Sequence, residues 1–501
     1  MSDSTPASAV PPRSRRPELQ TSESAFSTAS HDSVTVAGTH PFGTLHVHQP
    51  ARETPPVTPA PGQGPPPLGS ADDEDGDDTP MDQGAALTHG KGGGDVVLIL
   101  DLPQVYTVGY DAIAFTAKHF GGVRDLPAGS HLFWVAHPEA VSTRSGFWVF
   151  SSGQNQVHVA QWDKFTEVLS NAPHAVAHMQ AENIDSFHEK LVPHRDPSAT
   201  VGAGDGELGQ SRSADNIRIW DQMTNCITTK TVSRVTGHAG PMWHVHTMDR
   251  VKGALLMTAE MELNKSISNP LLQTREFTFG FDQHSKTYSA QRIGAERTFE
   301  ATDATSYILS VVDDPDGPLT EGEVVGELQF AFATGVHLGN EACMEQWWYM
   351  LLKLILKAYT LPVRRPSLAT SLLRAIAAQL TYGSDWLDSP LLETGDPQAR
   401  ELRLSLIIYK RRLEEQLAGT STPEHTAVGT TFARLESVVT TIGWDIRGDY
   451  LRKGKVVMED GEEIELEMKE LQAEDERGEW APEVVELDEQ GRERGLVSWN
   501  D

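Results

Sequence analysis

The stretch that decides the fold is Gly326–Trp347, which reads GELQFAFATGVHLGNEACMEQW. It begins with alternating apolar residues at Leu328, Phe330 and Phe332, and its last residue opens a double tryptophan. The sequence before it contains short apolar runs between turn residues, which is typical of strands. The sequence after it contains apolar residues at three- and four-residue spacing, which is typical of helices. The stretch therefore marks the passage from a β half to a helical half.

Residues 95–283 are predicted to form a mainly β, sandwich-like domain with a polar insertion near 193–215. Strand-like pieces separated by glycine- and proline-containing turns occupy 96–100, 105–115, 131–136, 146–150 and 156–160. This spacing favours a sandwich over alternating strand-helix units. We expect a short helix from Trp162-Asp163 to Leu169, because aspartate is a favourable N-cap. We also expect Phe277, Phe279 and Phe281 to line one face of a strand.

Residues 326–450 are predicted to form an all-α domain, which a connecting segment at 284–325 joins to the β domain. Polar or amphipathic residues recur at every fourth position from Glu341 to Lys357, which predicts a buried helix with one narrow polar stripe. Further amphipathic helices are predicted at 368–380, 402–417 and 432–442. The predicted fold class is therefore α+β, with an N-terminal β domain, a C-terminal helical domain and disordered termini.

The two ends of the chain differ from its middle in composition. Residues 1–94 hold 14 of the 30 prolines and only two aromatic residues, so we expect a disordered leader rich in proline and serine. The acidic tail, 451–501, is predicted to contain short strands. Val456–Met468 resembles a hairpin around Asp460-Gly461, and Val484–Leu487 resembles a strand. Such strands gain stability by pairing with another sheet, either of this chain or of a partner.

Charge and cysteine content narrow the class of protein. The formal net charge is −30, which argues against direct nucleic-acid binding, because such binding requires clustered lysine and arginine. Two cysteines, Cys226 and Cys343, are too few for a secreted disulfide scaffold and favour a reducing compartment. We find no apolar segment long enough to span a bilayer and no secretory signal. The composition predicts a soluble intracellular protein.

The sequence nominates no catalytic residue, no cofactor site and no metal ligand. Gly204–Gly209 matches a dinucleotide fingerprint, but no strand precedes it and no clear helix follows it. His244 and His246 share a strand face, yet without a third ligand we interpret them as surface or half-buried histidines. An unrecognised hydrolase stays open as a hypothesis. A histidine-carboxylate pair in a deep pocket would revive it.

Several motifs, taken in order, resemble the a1-cistron splicing factor family (Aar-two). A glycine-x-aspartate pair is followed by a proline-x-glycine-x-histidine motif, a tryptophan-aspartate pair, and a glycine-glutamate-x-glutamine-phenylalanine motif with a later tryptophan. The matching positions are Gly109, Asp111, Pro127, Gly129, His131, Trp162, Gly326, Glu327, Gln329, Phe330 and Trp347. The resemblance covers roughly residues 95–450.

The resemblance implies a non-enzymatic assembly chaperone of the U5 small nuclear ribonucleoprotein (U5 snRNP). Members of this family bind the large U5 scaffold protein through its RNase H-like and Jab/MPN-like domains, together with other U5 snRNP precursor components. They keep a helicase subunit off this particle and are released in the nucleus. The implied locations are therefore cytoplasm and nucleus, and the implied partner is a protein.

Two further hypotheses concern how a partner is bound. The first is that Trp480, Val484, Val485 and Leu487 in the acidic tail add a strand to the scaffold and clamp its domains together. The second is the alternative function of a general adaptor whose α-domain groove binds amphipathic helices near Trp347 and Trp348. Core packing is the competing interpretation of these two tryptophans.

Overall fold

The computed structural model describes most of the chain between residues 93 and 469. The described ranges are 93–138, 143–194, 206–253, 274–283, 295–315, 319–387, 397–420, 422–446, 451–457 and 463–469, with a few single residues besides. The predicted disordered leader, apart from its last two residues, lies outside these ranges. The tail residues Trp480, Val484, Val485 and Leu487 also lie outside them.

The N-terminal half consists of two five-stranded sheets. Their strands are β1 (Asp95–Leu100), β2 (Val105–Tyr110), β3 (Ile113–Lys118), β4 (Gly122–Leu126), β5 (Gly129–Ala136), β6 (Arg144–Ser151), β7 (Val157–Asp163), β8 (Val168–Asn171), β9 (Val192–Pro193) and β10 (Met242–His246). The strand order is β8-β7-β1-β4-β9 in one sheet and β10-β6-β5-β2-β3 in the other. Short strands β11 (Arg250–Val251) and β12 (Glu276–Phe277) pair separately.

Alternation along the strands builds the layers of this half. Phe133 and Val135 of β5 face the core between the two sheets, whereas Leu132 and Trp134 of the same strand face the helices. Val96 of β1 lies in a third cluster beneath helix α1 (His174–Glu182). The period-two pattern of a strand places neighbouring residues on opposite faces. The predicted mainly β, sandwich-like domain is confirmed.

The C-terminal half is helical, as predicted. Its helices are α4 (Ala295–Thr302), α5 (Thr305–Val312), α6 (Glu321–Leu338), α7 (Glu341–Tyr349), α8 (Leu361–Arg364), α9 (Pro366–Asp385), α10 (Pro397–Leu417) and α11 (Pro423–Thr441). Helices α2 (Gly206–Thr224) and α3 (Thr229–Thr236) precede them, between β9 and β10, and belong to the N-terminal half. Helix α7 continues through a π turn and a 3₁₀ turn to Lys357. Its predicted polar stripe is confirmed, since Glu341 and Glu345 are exposed and the residues between them are more buried. The predicted connecting segment, 284–325, contains α4 and α5.

The alternating apolar residues of the opening stretch lie inside a helix. Helix α6 begins after Thr320, whose hydroxyl accepts from the backbone N–H of Glu323 while the Glu323 carboxylate accepts from the Thr320 N–H. Leu328, Phe330 and Phe332 are all fully buried. Helix α6 is buried on nearly every side, and the polar Glu327 and Gln329 are among its buried residues, so alternation at this point did not indicate a strand.

The helix expected after Trp162-Asp163 is wrong. Both residues end β7, and the chain turns back into β8 with Trp162 paired to Leu169. The Asp163 carboxylate accepts from the N–H of Phe165 at 2.8 Å, which closes a turn instead of capping a helix. An aspartate favours both helix N-termini and Asx turns, because in each its carboxylate accepts a hydrogen bond from a backbone N–H that follows it closely in sequence.

Three smaller expectations also change. The piece at 105–115 is a hairpin of two strands, β2 and β3. Helix α2 starts at Gly206, within the glycine-rich motif at 204–209, where we expected no clear helix. Phe277, Phe279 and Phe281 were expected on one face of a strand; all three are buried in one core, but only Phe277 belongs to a strand.

Candidate functional site

The family-motif residues of helix α6 join the two halves of the chain. The Gln329 side chain is buried beside the C-terminal end of α2. Its Oε1 accepts from the Cys226 N–H at 2.9 Å, and its Nε2 donates to Asn225 Oδ1 at 2.9 Å and to the Gln222 carbonyl at 3.2 Å. The last carbonyls of a helix have no partner within the helix, so this amide completes the end of α2.

Glu327 forms a buried ion pair with α3. Its Oε1 accepts from Arg234 at 2.5 Å and from the Gly280 N–H at 2.7 Å, and its side chain is fully buried. Burial raises the pKa of the Glu327 carboxyl, and the Arg234 guanidinium opposes that rise. A charge this deep requires its partner, so Glu327 holds α3 and the 274–283 segment against α6.

Gly326 and Gly109 allow close approaches that a side chain would block. A Cβ at Gly326 would lie 2.4 Å from the Cys226 carbonyl oxygen, and a Cβ at Gly109 would lie 2.0 Å from the Trp134 ring. Phe330 packs against Trp148 and Phe277, each with ring centroids 5.8 Å apart. Gly326 therefore allows α6 to approach the loop between α2 and α3, and Gly109 makes room for Trp134 within the sheet. Phe330 packs α6 against β6 through Trp148.

Asn340 and Arg144 add polar bonds to the same junction. Asn340 Nδ2 lies within 3.1 Å of three carbonyl oxygens, those of His246, Thr247 and Asp249, while Asn340 Oδ1 caps α7. The buried Arg144 guanidinium donates to the His337 carbonyl at 2.6 Å. The two halves are thus connected by directional bonds as well as by apolar packing.

Asp111, His131 and His194 form a second, separate cluster in the β half. Asp111 Oδ2 lies 2.7 Å from His131 Nδ1 and 2.6 Å from His194 Nε2. The three residues are 5%, 3% and 7% exposed, respectively. Asp111 follows β2 with a positive φ of 52°, His131 lies in β5, and His194 follows β9. Three separate segments therefore meet at one carboxylate.

The hydrogen bonds of His131 show its protonation state. Its Nε2 lies 3.0 Å from the Pro127 carbonyl oxygen and its Nδ1 faces the Asp111 carboxylate, so both ring nitrogens donate. Burial alone would lower the pKa of His131, but Asp111 raises it above its ordinary value. Burial alone would raise the pKa of Asp111, but the two histidines hold it far below its ordinary value. The pair is therefore an imidazolium and a carboxylate.

This cluster connects two family motifs. The aspartate of glycine-x-aspartate bonds the histidine of proline-x-glycine-x-histidine, and that histidine bonds the carbonyl of its own motif's proline. Gly129 begins β5 with a φ of +148°, between this proline and histidine.

The two tryptophans among the family-motif positions are buried in the cores. Trp162 lies in the core between the sheets, with its ring centroid 5.1 Å from that of Tyr106. Trp347 donates from Nε1 to Gln379 Oε1 at 2.8 Å in the helical core.

Two family descriptions match the chain in sequence order. Residues 93–237 match the AAR2 N-terminal domain, and residues 279–447 match the AAR2 C-terminal repeat region. The chain belongs to the AAR2 family. This confirms the resemblance that the motifs indicated, and the name of the family connects the chain with splicing.

Curated AAR2 relatives are similar to just over half of the chain. The Protein AAR2 homolog of Macaca fascicularis is 27% identical over 312 residues, which are 57% of this chain and 75% of that protein. Those of Mus musculus and Homo sapiens are each 26% identical, again over 57% of this chain and 75% of theirs.

A cavity of about 810 Å³ lies beside the aspartate-histidine cluster of this AAR2-family chain. It separates the cluster from helix α2 and the start of α3. Its lining includes Asp111, His131, His194, Ser130, Ser151, Ile217, Trp220, Asp221, Asn225 and Thr228. Sequence analysis found Asp111 and His131 as family-motif positions but missed His194, which lies 83 residues from Asp111.

The cluster meets the condition that we set for reviving the hydrolase hypothesis, a histidine-carboxylate pair beside a deep pocket. Among the described residues, neither of the two serines that line the cavity is placed as a nucleophile for it. Ser130 Oγ donates to the Thr224 carbonyl and Ser151 Oγ donates to the Leu126 carbonyl, so both hydroxyl protons are in hydrogen bonds to backbone oxygens. Both nitrogens of His131 are also engaged. A general base activates a nucleophile that lies within hydrogen-bond reach of it. The hydrogen bonds of these two serine hydroxyls go to backbone carbonyls and not to His131.

His244 and His246 both lie on β10, and the expected surface or half-buried position is wrong for His244 and confirmed for His246. His244 is buried, and its Nε2 bonds to Asn171 Oδ1 at 2.9 Å, while His246 is half-buried. Both have pKa values below the ordinary range because of burial.

Across the parts of the chain that the structure describes, no helix is both long and apolar enough to cross a membrane.

The hairpin predicted in the tail is present. Strands β13 (Leu451–Val457) and β14 (Glu463–Lys469) pair antiparallel, with Val456 opposite Ile464. The turn residues Asp460-Gly461 lie outside the described residues, as do the proposed binding residues from Trp480 to Leu487.

Proposed function

We propose that this chain is a non-catalytic assembly factor of the U5 snRNP. In this proposal it binds the large U5 scaffold protein through the RNase H-like and Jab/MPN-like domains of that partner. It blocks premature helicase binding and acts in both cytoplasm and nucleus. The observation that carries the proposal is the ordered match of both halves to the AAR2 family, at 93–237 and 279–447.

The junction between the halves supports binding of a partner with two domains. Gln329, Glu327 and Asn340 each bond across it, and apolar packing around Phe330 fills it. Each half therefore presents its outer surface in a defined place relative to the other. A platform that is already ordered loses little conformational entropy when it binds. The net charge of −30 favours a protein partner over direct RNA contact.

The acidic tail is the proposed clamp. The hairpin of β13 and β14 follows the helical half in sequence, and Trp480, Val484, Val485 and Leu487 come after it. An extended apolar segment can add a strand to a partner sheet, with backbone bonds for affinity and alternate side chains for specificity. Phosphorylation near such an acidic segment would weaken docking by charge repulsion, which supplies a route to release.

Co-purification tests the proposal and the clamp separately. The full-length chain, a chain lacking 452–501, and a chain with alanine at the four tail residues are each mixed with the two scaffold domains. We expect the full-length chain to retain both domains and the two variants to lose one. Equal retention by all three forms would remove the clamp but keep the assembly function. No retention by any form would remove the function itself.

The adaptor alternative loses its nominated binding residues. Trp347 is fully buried and Trp348 is 8% exposed, so the competing interpretation of core packing is confirmed for both. Their rings lie 4.5 Å apart within the helical core. A peptide groove centred on these two residues would require the core to open.

A further inference from the structure

We propose that Asp111, His131 and His194 form a binding site for a divalent transition-metal ion of the zinc class. One ligand atom from each residue lies within 4.8 Å of the other two, and all three residues are buried. Two imidazole nitrogens and one carboxylate oxygen are a donor set that zinc accepts. The fold brings them together from three segments between residues 111 and 194.

The atoms around the three donors are arranged as a metal site requires. A metal-bound histidine usually donates its second N–H to a carbonyl or carboxylate, and a metal-bound carboxylate is usually hydrogen-bonded itself. His131 Nε2 faces the Pro127 carbonyl at 3.0 Å, and Asp111 Oδ1 accepts from the Leu132 N–H at 3.2 Å. These bonds fix the ring of His131 and the plane of the carboxylate.

The present donor separations are those of hydrogen bonds, 2.7 Å and 2.6 Å from Asp111 Oδ2 to the two histidine nitrogens. A tetrahedral zinc ion with donors at about 2.0–2.1 Å separates them by about 3.3 Å. Binding would therefore replace the shared protons by the ion and open each separation by roughly 0.6 Å. The His131 imidazolium would lose its Nδ1 proton to solvent as the ion enters, and His194 would bind through Nε2 as a neutral ring with its proton on Nδ1.

The cavity gives this small rearrangement both space and access. All three residues line the same cavity of about 810 Å³, so the ion has a route to the donors and a water molecule can take the fourth position.

Zinc titration of the full-length chain tests the site. The purified protein is stripped with a chelator and titrated calorimetrically at pH 7.5 in two buffers that differ in ionisation enthalpy. We expect one tightly bound zinc ion per chain, with heats that differ between the buffers because protons are released. Magnesium should not substitute, because it prefers oxygen ligands.

Two histidine variants separate this site from the other histidines and the acidic tail. His194→Gln should weaken zinc binding at least roughly tenfold. His174→Gln, an exposed position on α1, should leave binding unchanged. Far-ultraviolet circular dichroism verifies the fold of each variant. Cobalt, used as a coloured substitute for zinc, should give visible absorption bands that His194→Gln loses.

The proposal is overturned if the wild-type chain binds zinc no more tightly than His194→Gln does. It is also overturned if the wild-type chain takes up no zinc. In the first case the ion is held by surface histidines or by the tail. In the second case the cluster is a hydrogen-bonded ion pair only. Neither result bears on binding of the scaffold domains, so the two proposals fail independently.

Discussion

The Asp111 carboxylate and the His131 imidazolium lie 2.7 Å apart, and this bond ties together two sequence motifs twenty residues apart. His131 continues the chain of bonds to the Pro127 carbonyl, and His194 adds a second bond to the same Asp111 oxygen. The turn after β2, the start of β5 and the end of β9 are therefore held at one point.

Removing one member of this ion pair should destabilise the β half strongly. His131→Gln leaves the Asp111 carboxylate buried without its cation, and breaking a buried pair costs about 3–5 kcal/mol. We expect that loss in the free energy of unfolding, measured by urea denaturation at pH 7. His174→Gln at an exposed position should change it by less than about 0.5 kcal/mol. Equal losses in the two variants would contradict the structural role of the pair.

The ion pair between helices α3 and α6 gives a second matched test. Arg234→Met leaves Glu327 fully buried and unpaired, so we expect a loss of about 3–5 kcal/mol in the free energy of unfolding. Arg218→Met breaks an exposed pair with Asp215 and should cost less than about 1 kcal/mol. Chemical denaturation of both variants checks this. A similar loss in both would show that burial of Glu327 is unimportant.

Two glycines of the same helix, α6, should respond in opposite directions to alanine. Gly326→Ala puts a Cβ 2.4 Å from the Cys226 carbonyl oxygen, and such overpacking costs about 1–3 kcal/mol. Gly322→Ala meets nothing closer than 4.0 Å and should stabilise the helix by about 0.5–1 kcal/mol. Thermal unfolding should therefore show Tm values on either side of the wild type. A rise in Tm for Gly326→Ala would contradict the described approach of α6 to Cys226.

His244 should make the folded chain less stable in mild acid. Burial first, and the nearby His246, Arg275 and His238 next, lower the pKa of His244 from 6.5 to about 3. Below pH 6.5, His244 is therefore protonated in the unfolded chain but stays neutral in the folded chain. The contribution of neutral His244 to the free energy of unfolding is present above pH 6.5. It falls by about 1.4 kcal/mol per pH unit as the pH drops toward 3.

The variant His244→Gln removes this one titration. The difference in unfolding free energy between wild type and variant should shrink by about 2 kcal/mol from pH 6.5 to pH 5. Urea denaturation at the two pH values measures it, and His174→Gln serves as the exposed control. A difference that stays constant across this range would show that His244 titrates normally in the folded chain.

The order of β half and helical half could be predicted from sequence, because strands and helices leave different apolar periods. Helix α10 is an example, since Leu402, Leu406 and Leu413 repeat at helical spacing and are buried. The stretch from Leu328 to Phe332 could not be assigned by period alone. When every side of a helix is buried, its apolar residues carry no period.

The candidate site was only half predictable. Asp111 and His131 occur in motifs. His194 joins them through the parallel pairing of β9 with β4, and no local sequence pattern predicts that pairing.

The start of helix α11 had a sequence signal that we did not use. Thr422 caps it and Pro423 occupies its first turn, a frequent combination at helix starts.

Competition with the helicase subunit tests the central claim most directly. The full-length chain is added in increasing amounts to a preformed complex of the helicase subunit and the scaffold's RNase H-like and Jab/MPN-like domains, and the bound helicase is measured. The assembly function predicts that the chain binds these domains and displaces the helicase. A stable complex that contains both proteins, or no binding of the chain at all, would contradict it.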